Sequence, residues 1–239
     1  MNMLDLSLEK RPAEKATIIE GFPGFGFVST IATEFLIKHL DAKPIGKISS
    51  NKLEPVAAIH KNEILNPLQI FYDKKSNIVI VQALVPVDGL EWEIAETIAD
   101  FAKKIKAKEI ISLEGVSSQV GVKNPQVFFF SNLKNKNKPI QQLKLPPLEE
   151  GIIVGVTGAL LIKSDLPLSC FFVETNSKLP DNTGAASLIK TLDHYLGLNI
   201  DYKPVLEKAK EFEDKIRGIL TQLNATKDQK QKKDLTYMG

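Results

Sequence analysis

The chain has 239 residues, with 31 Lys and Arg against 29 Asp and Glu, so its formal net charge is +2. That length buries a sizeable core without disulfides or metals, and the near balance of charge gives no electrostatic footprint for DNA or RNA. The lone cysteine, Cys170, has no partner for an internal disulfide, no apolar run approaches the ~20 residues needed to span a bilayer, and no export signal follows Met1. The expectation is a cytoplasmic protein with neither membrane nor nucleic-acid partners.

After a charged lead-in, Ala16–Glu20 is strand-like, the turn Gly21-Phe-Pro-Gly-Phe-Gly26 follows, and Val28, Ile31, Ala32, Phe35, Leu36 and His39 recur at helical spacing. Residues 44–72 carry Pro, Asn and His between short β-rich runs, which predicts irregular or hairpin structure on one edge of a sheet. Asn77–Ala83 is nearly all apolar, as in a strand covered on both faces.

Asp88 and Glu91 stand at capping-box spacing before Ile94, Ile98, Phe101 and Ile105, predicting a helix from about Gly89 to Lys106. A strand over Glu109–Leu113 then completes a strand-helix-strand unit, and the class is α/β. The stretch Lys134–Lys138 with Pro139, Pro146 and Pro147 reads as an exposed, loop-rich insertion. Gly151–Leu161 fits either a buried strand or the start of a helix, and periodicity does not separate the two. Leu168–Val173 is a clearer strand. Asn182 or Thr183 caps a helix with the stripe Ala185, Leu188, Ile189, Leu192 and Leu196, ended by Gly197.

A last helix, opening near Asp201 or Lys203, places Val205, Ala209, Phe212, Ile216, Ile219 and Leu223 at alternating steps of four and three, a seam suited to packing on its own domain or on another subunit. Residues 1–223 therefore read as a single domain. Residues 224–239 are polar up to Asp234 and read as a mobile tail ending in Leu235-Thr-Tyr-Met-Gly239.

Few residues offer chemistry. The turn is G-x-x-G-x-G, neither the dinucleotide fingerprint nor a P-loop, and Asp41 follows the first helix in a loop rather than ending a second strand. Cys170 lies inside an apolar strand, and His39, His60 and His194 are isolated from acidic or cysteine partners at metal-ligand spacing. No catalytic residue, cofactor or metal is expected. Glu20, Glu114 and Glu174 follow or interrupt apolar strands, but a sequence does not show whether they converge. Trp92, Phe22, Phe25 and Phe27 are candidates for an exposed anchor surface or for core packing.

Three segments together resemble the proteasome-assembly chaperone family and its archaeal members: Gly21-Phe-Pro-Gly-Phe-Gly-Phe-Val-Ser29, Gly155-Val-Thr-Gly-Ala-Leu-Leu161, and Pro180-Asp181 through Ala185-Ala186. The resemblance covers roughly residues 15–220. It implies a three-layer α/β sandwich with a mainly parallel central sheet, related to nucleoside-phosphorylase-like folds. It also implies homo-oligomerisation and ATP-independent binding of proteasome α-subunits. Family members that engage the proteasome often end in a hydrophobic-Tyr-any tripeptide. By that likeness Thr236, Tyr237, Met238 and Gly239 are the partner-binding residues, and the 205–223 seam is the oligomer interface. Here Tyr237 is third from the end and Thr236 replaces the apolar residue. The reading from another class is a nucleotide-binding protein or hydrolase-like enzyme built on the glycine turn and the strand-end carboxylates.

Overall fold

The structure is a computed structural model, and it describes residues 4–53, 58–60, 63–117, 124–133, 138–163, 165–175 and 180–201. The seam over Val205–Leu223 and the tail residues Thr236–Gly239 lie outside the described residues.

Within them the strands are β1 (Asp5–Leu8), β2 (Thr17–Gly21), β3 (Lys43–Ser49), β4 (Ala58–His60), β5 (Glu63–Leu65), β6 (Leu68–Asp73), β7 (Ile78–Ala83), β8 (Glu109–Ser117), β9 (Val127–Ser131) and β10 (Leu168–Thr175). The helices are α1 (Val28–His39), α2 (Glu91–Lys104), α3 (Lys138–Leu143), α4 (Gly155–Lys163) and α5 (Asn182–Leu196). Eight strands form one sheet in the order β1-β3-β6-β7-β2-β8-β10-β9, with β4 and β5 as a separate hairpin.

Only the centre of this sheet is parallel. β7, β2, β8 and β10 pair in parallel, whereas β6, β3 and β1 continue one side antiparallel and β9 closes the other. The sheet is thus mixed rather than mainly parallel. The reason is local: β6 and β7 are joined by the turn Lys74–Asn77, with Asp73 accepting from the Ser76 and Lys75 N–H groups, and a short turn returns the chain antiparallel.

The four parallel strands are apolar on both faces because each face carries a helical layer. In β2 and β7, Ile18, Val79 and Val81 join the cluster with Ile94, Ile98 and Phe101 of α2 and Val156 and Leu160 of α4. Their alternating neighbours Ile19, Ile78 and Ile80 join Ile31, Ala32 and Leu36 of α1 and Leu188, Ile189 and Leu192 of α5. A period of two in the strands and of three to four in the helices is what a three-layer sandwich needs.

Several boundaries differ from the sequence-based expectation. The charged lead-in contains β1, which hydrogen-bonds to β3. The Asp88/Glu91 capping box is not made: α2 begins at Glu91 after Leu90, with no side-chain cap, and ends at Lys104. Glycine at 89, with φ 81°, lets the chain turn into the helix two residues later than the box requires. Residues Gly155–Lys163 are helical, and the insertion after β9 carries the short α3. The cap of α5 is Asp181, whose carboxylate accepts from the Gly184 N–H at 2.9 Å, rather than Asn182 or Thr183. Gly197 ends that helix in the left-handed region as expected.

Asp181 also donates its own N–H to the Gly26 carbonyl at 2.7 Å, tying the start of α5 to the turn before α1. Replacing Asp181 with alanine removes the cap but keeps this backbone bond. Asp181→Ala should lower unfolding free energy by about 1 kcal/mol in urea denaturation with an unchanged slope.

Candidate functional site

The parallel register assembles the site. Glu20 of β2 lies opposite Ser112 of β8, and Ser112 lies opposite Cys170 of β10. All three point to the face covered by α2 and α4, because the intervening residues Ile19, Ile111 and Phe171 belong to the opposite cluster. Glu114 is on the same face, one position past the end of the β2 pairing. Thr157, in the first turn of α4, closes the group from above.

Glu20, Ser112 and Thr157 are buried. The Ser112 hydroxyl donates to Glu20 Oε1. Thr157 Oγ1 lies 2.7 Å from Ser112 Oγ, 3.1 Å from Glu20 Oε1 and 3.2 Å from Glu114 Oε2. Two hydroxyl protons do not fill these four contacts. Ser112 donates to Glu20 and the Thr157 proton is shared between Glu20 Oε1 and Glu114 Oε2, so a proton on Glu114 relieves the shortfall. The second oxygen of Glu20 is buried with no hydrogen-bond partner. No lysine, arginine or histidine forms an ion pair with either carboxyl among the described residues.

The electrostatics follow from dryness. Burial pushes Glu20 up to about 7, against the hydrogen bonds from Ser112 and Thr157. Burial first, and then the charge of Glu20, push Glu114 up to about 8. Cys170 is pushed far above its ordinary range, first by burial and then by Glu20, so its thiol is not a nucleophile at neutral pH.

Glu114 also forms the floor of a cleft of about 370 Å³ at the carboxyl ends of the parallel strands. The glycine turn forms one wall through Phe22, Pro23, Gly24 and Phe25, and the segment entering α4 forms another through Val154 and Val156. A Cβ at Gly24 would crowd Glu114 Oε1 and require the carboxyl to move, and Gly26 holds φ 64° in the single 3₁₀ turn that leads into α1. The turn is therefore spent on close packing against the carboxyl.

The other candidates disperse. Glu174 is partly exposed and accepts from the Gln126 N–H at 3.1 Å; it lies on the Cys170 face of β10, two positions beyond Phe172, the residue opposite Glu114. Asp41 is exposed beside Lys43 in the turn after α1. His39 and His194 sit in the last turns of α1 and α5. No group of three His, Cys, Asp or Glu suited to a metal occurs among the described residues. Of the aromatic candidates Phe25 and Trp92 are exposed, at 47% and 45%, whereas Phe22 is buried and Phe27 packs on the α1/α5 cluster. Ser112 and Thr157 were not legible as site residues, since a lone hydroxyl in an apolar run carries no periodic signal. No helix among the described residues is long and apolar enough to cross a membrane.

Comparison with known proteins places these features in a family context. The model of the PAC2 family matches residues 18–220. The crystal structure of Pyrococcus furiosus PbaA, an archaeal homolog of proteasome-assembly chaperone, superposes with a TM-score of 0.84 at 31% identity, covering 94% of this chain and 99% of that one. P. furiosus PbaB, an archaeal proteasome activator, superposes with a TM-score of 0.74 at 25% identity, covering 92% and 99%. An uncharacterized protein of Methanocaldococcus jannaschii, MJ0106, is 27% identical over 217 residues, 87% of each chain.

The buried pair has a consequence for stability. Both carboxyls titrate higher in the folded protein than the ordinary 4.5, so between that value and about 7 to 8 the native state holds more protons than the unfolded state. The stabilisation is full below the unfolded value and is lost as pH rises through the folded values. Unfolding free energy should fall by on the order of a few kcal/mol between pH 5 and pH 9. Glu114→Gln should flatten that decline; a slope identical to the parent chain in denaturant titrations across this range would contradict the assignment.

Proposed function

The chain belongs to the PAC2 family, and on that premise we propose that it is a proteasome-associated factor. It acts as an ATP-independent assembly chaperone or proteasome-binding protein, as a homo-oligomer in the cytoplasm, and engages proteasome α-subunits in part through its C-terminal tail. The observation that carries this reading is the end-to-end match to PbaA, over 94% of this chain and 99% of that one at 31% identity.

The tail supports it by composition. From Asn224 to Asp234 it is polar and rich in Lys, Gln and Asp, which gives reach without a core, and Tyr237 combines an apolar ring with a hydroxyl suited to a desolvated pocket. With Tyr237 third from the end, the terminal carboxylate is displaced by up to ~3.6 Å from its place after a penultimate tyrosine. One such tail binds weakly because it must be ordered, and several on one oligomer bind far better.

The enzyme reading is weakened by charge. Among the described residues the cleft beside the glycine turn is lined by Asp88, Glu91 and Glu114 and by no Lys or Arg, so a nucleotide's phosphates meet repulsion from them where a phosphate site supplies cations or free N–H groups.

Capture of a purified proteasome α-ring tests the proposal. Tyr237→Ala should abolish tail-dependent capture without moving the melting temperature, and deletion of Gly239 should strengthen it several-fold. Unaltered capture by both variants rejects the tail, and no capture by the parent chain rejects the proteasome.

The seam is tested separately, by sedimentation at micromolar concentration. Phe212→Glu should convert the oligomer to folded monomers; a parent chain that sediments as a monomer, or a variant that unfolds instead, assigns the stripe to the chain's own core.

A further inference from the structure

Hollows on the described surface differ in charge. One, of about 770 Å³ between β1 and α2, mixes Asp5 and Asp100 with Arg11 and Lys104 and has no charge preference. Another, of about 370 Å³ over Glu114, is one-sided among the described residues: its charged lining residues there are Asp88, Glu91 and Glu114, all acidic. Its volume is at the lower end of the roughly 300–1,000 Å³ typical of ligand pockets, enough for one side chain and its immediate surroundings.

Beside the acids stand exposed apolar groups. Val154 is 69% exposed and Phe25 47% exposed, and both line the cleft. Behind the floor, one Thr157 hydroxyl away, Glu20 keeps a buried oxygen without a hydrogen-bond partner. Buried polar atoms are nearly always satisfied, and two adjoining carboxyls, one buried and one at the cleft floor, with no cation paired to them among the described residues, are what a positive group would complete.

We propose that this cleft receives a lysine side chain from a partner protein, its ammonium meeting Glu114 between Asp88 and Glu91 while apolar neighbours in the partner's sequence cover Phe25 and Val154. The inference deepens the protein-binding part of the proposed function and does not depend on the proteasome being the partner. Charge complementarity selects the occupant: an acidic rim and floor with apolar walls suit a cation on an aliphatic stem, and disfavour an acidic peptide or a phosphate.

Entry of the ammonium also has a proton balance. Burial and Glu20 hold Glu114 protonated near neutrality, and a cation at the floor favours its charged form, so one proton leaves to solvent as the lysine enters. The groups facing Glu114 are Glu20 of β2, Cys170 of β10, and Asp88 and Glu91 at the start of α2. α4 contributes the neutral Thr157. Lysine binding therefore tightens as pH rises through the range in which Glu114 would otherwise hold its proton.

Calorimetric titration of the full-length protein tests this with a capped pentapeptide, acetyl-Gly-Leu-Lys-Phe-Gly-amide, and with the same peptide carrying Nε-acetyl-lysine. The lysine peptide should bind at least tenfold more tightly than the acetylated one, more tightly at pH 8.5 than at 6.5, and with proton release visible between buffers of different ionisation enthalpy. Glu114→Gln should cost at least tenfold. Should that variant not fold, Asp88→Asn with Glu91→Gln, both on the rim, should cost several-fold and remove most of the salt dependence. Equal binding of the two peptides, no saturable binding at millimolar concentration, or affinity untouched by these variants overturns the proposal. Capture of the α-ring is read independently, so the cleft can fail while the proteasome reading stands.

Discussion

A carboxyl group in the middle of a sheet, covered on both faces, is tolerable only with partners, and the parallel register of β2 and β8 supplies them. Setting Glu20 opposite Ser112 places a hydroxyl where water would otherwise be required, and α4 brings Thr157 over both. Burying such a group without a hydrogen bond costs several kcal/mol, more than most single contacts in a domain return. The position of α4 and the pairing of the central strands are tied to that one polar chain. A shift of one residue in the register would leave Ser112 facing α1 and Glu20 facing an isoleucine.

The same chain determines how the glycine turn is used. A turn of this composition before a helix suggests anion binding, yet here its glycines admit a carboxyl: Gly24 lies against Glu114, and the chain reverses through Gly26 to receive the Asp181 N–H. The N-terminal ends of α1 and α5 are joined at this point while α2 and α4 hold the other face. The carboxyl ends of the parallel strands are left as an acidic, apolar-walled opening at the position where α/β sheets gather their ligands. Contrast Glu109, at the other end of β8, which burial also raises but which Tyr195 and Ser169 satisfy at 2.8 and 3.2 Å. Both of those hydrogen bonds fall on Glu109 Oε2 and tie the carboxyl to β10 and α5.

A protein-binding role and a buried acid pair are compatible. A protein-binding surface has to recognise without reacting, and the thiol beside the acids, Cys170, is held protonated by the same burial that raises Glu20 and Glu114. An opening that accepts a cation only by releasing a proton binds weakly and reversibly, which suits a factor that engages a partner and lets it go. The exposed Phe25 and Trp92 are consistent with such a surface.

Composition and periodicity were enough for the α/β class, for α1, α2 and α5, and for the apolar central strands, since burial on both faces leaves a direct mark on residues such as Ile78–Val81 and Leu168–Val173. The family likeness was legible in Gly21–Ser29, Gly155–Leu161 and Pro180–Ala186, segments that pack tightly and therefore restrict their residues. What the sequence left open was every question of pairing. The helical state of Gly155–Lys163 and the antiparallel flanks of the sheet depend on neighbours distant in the chain. Glu20 and Glu114 were visible as carboxylates at strand ends, whereas Ser112 and Thr157 were not visible at all, because a hydroxyl becomes a site residue only when register and helix packing bring it within hydrogen-bond distance of the acids. Tertiary structure alone made that decision: 92 residues separate Ser112 from Glu20 and 137 separate Thr157 from it, and no local pattern encodes a contact made across such distances.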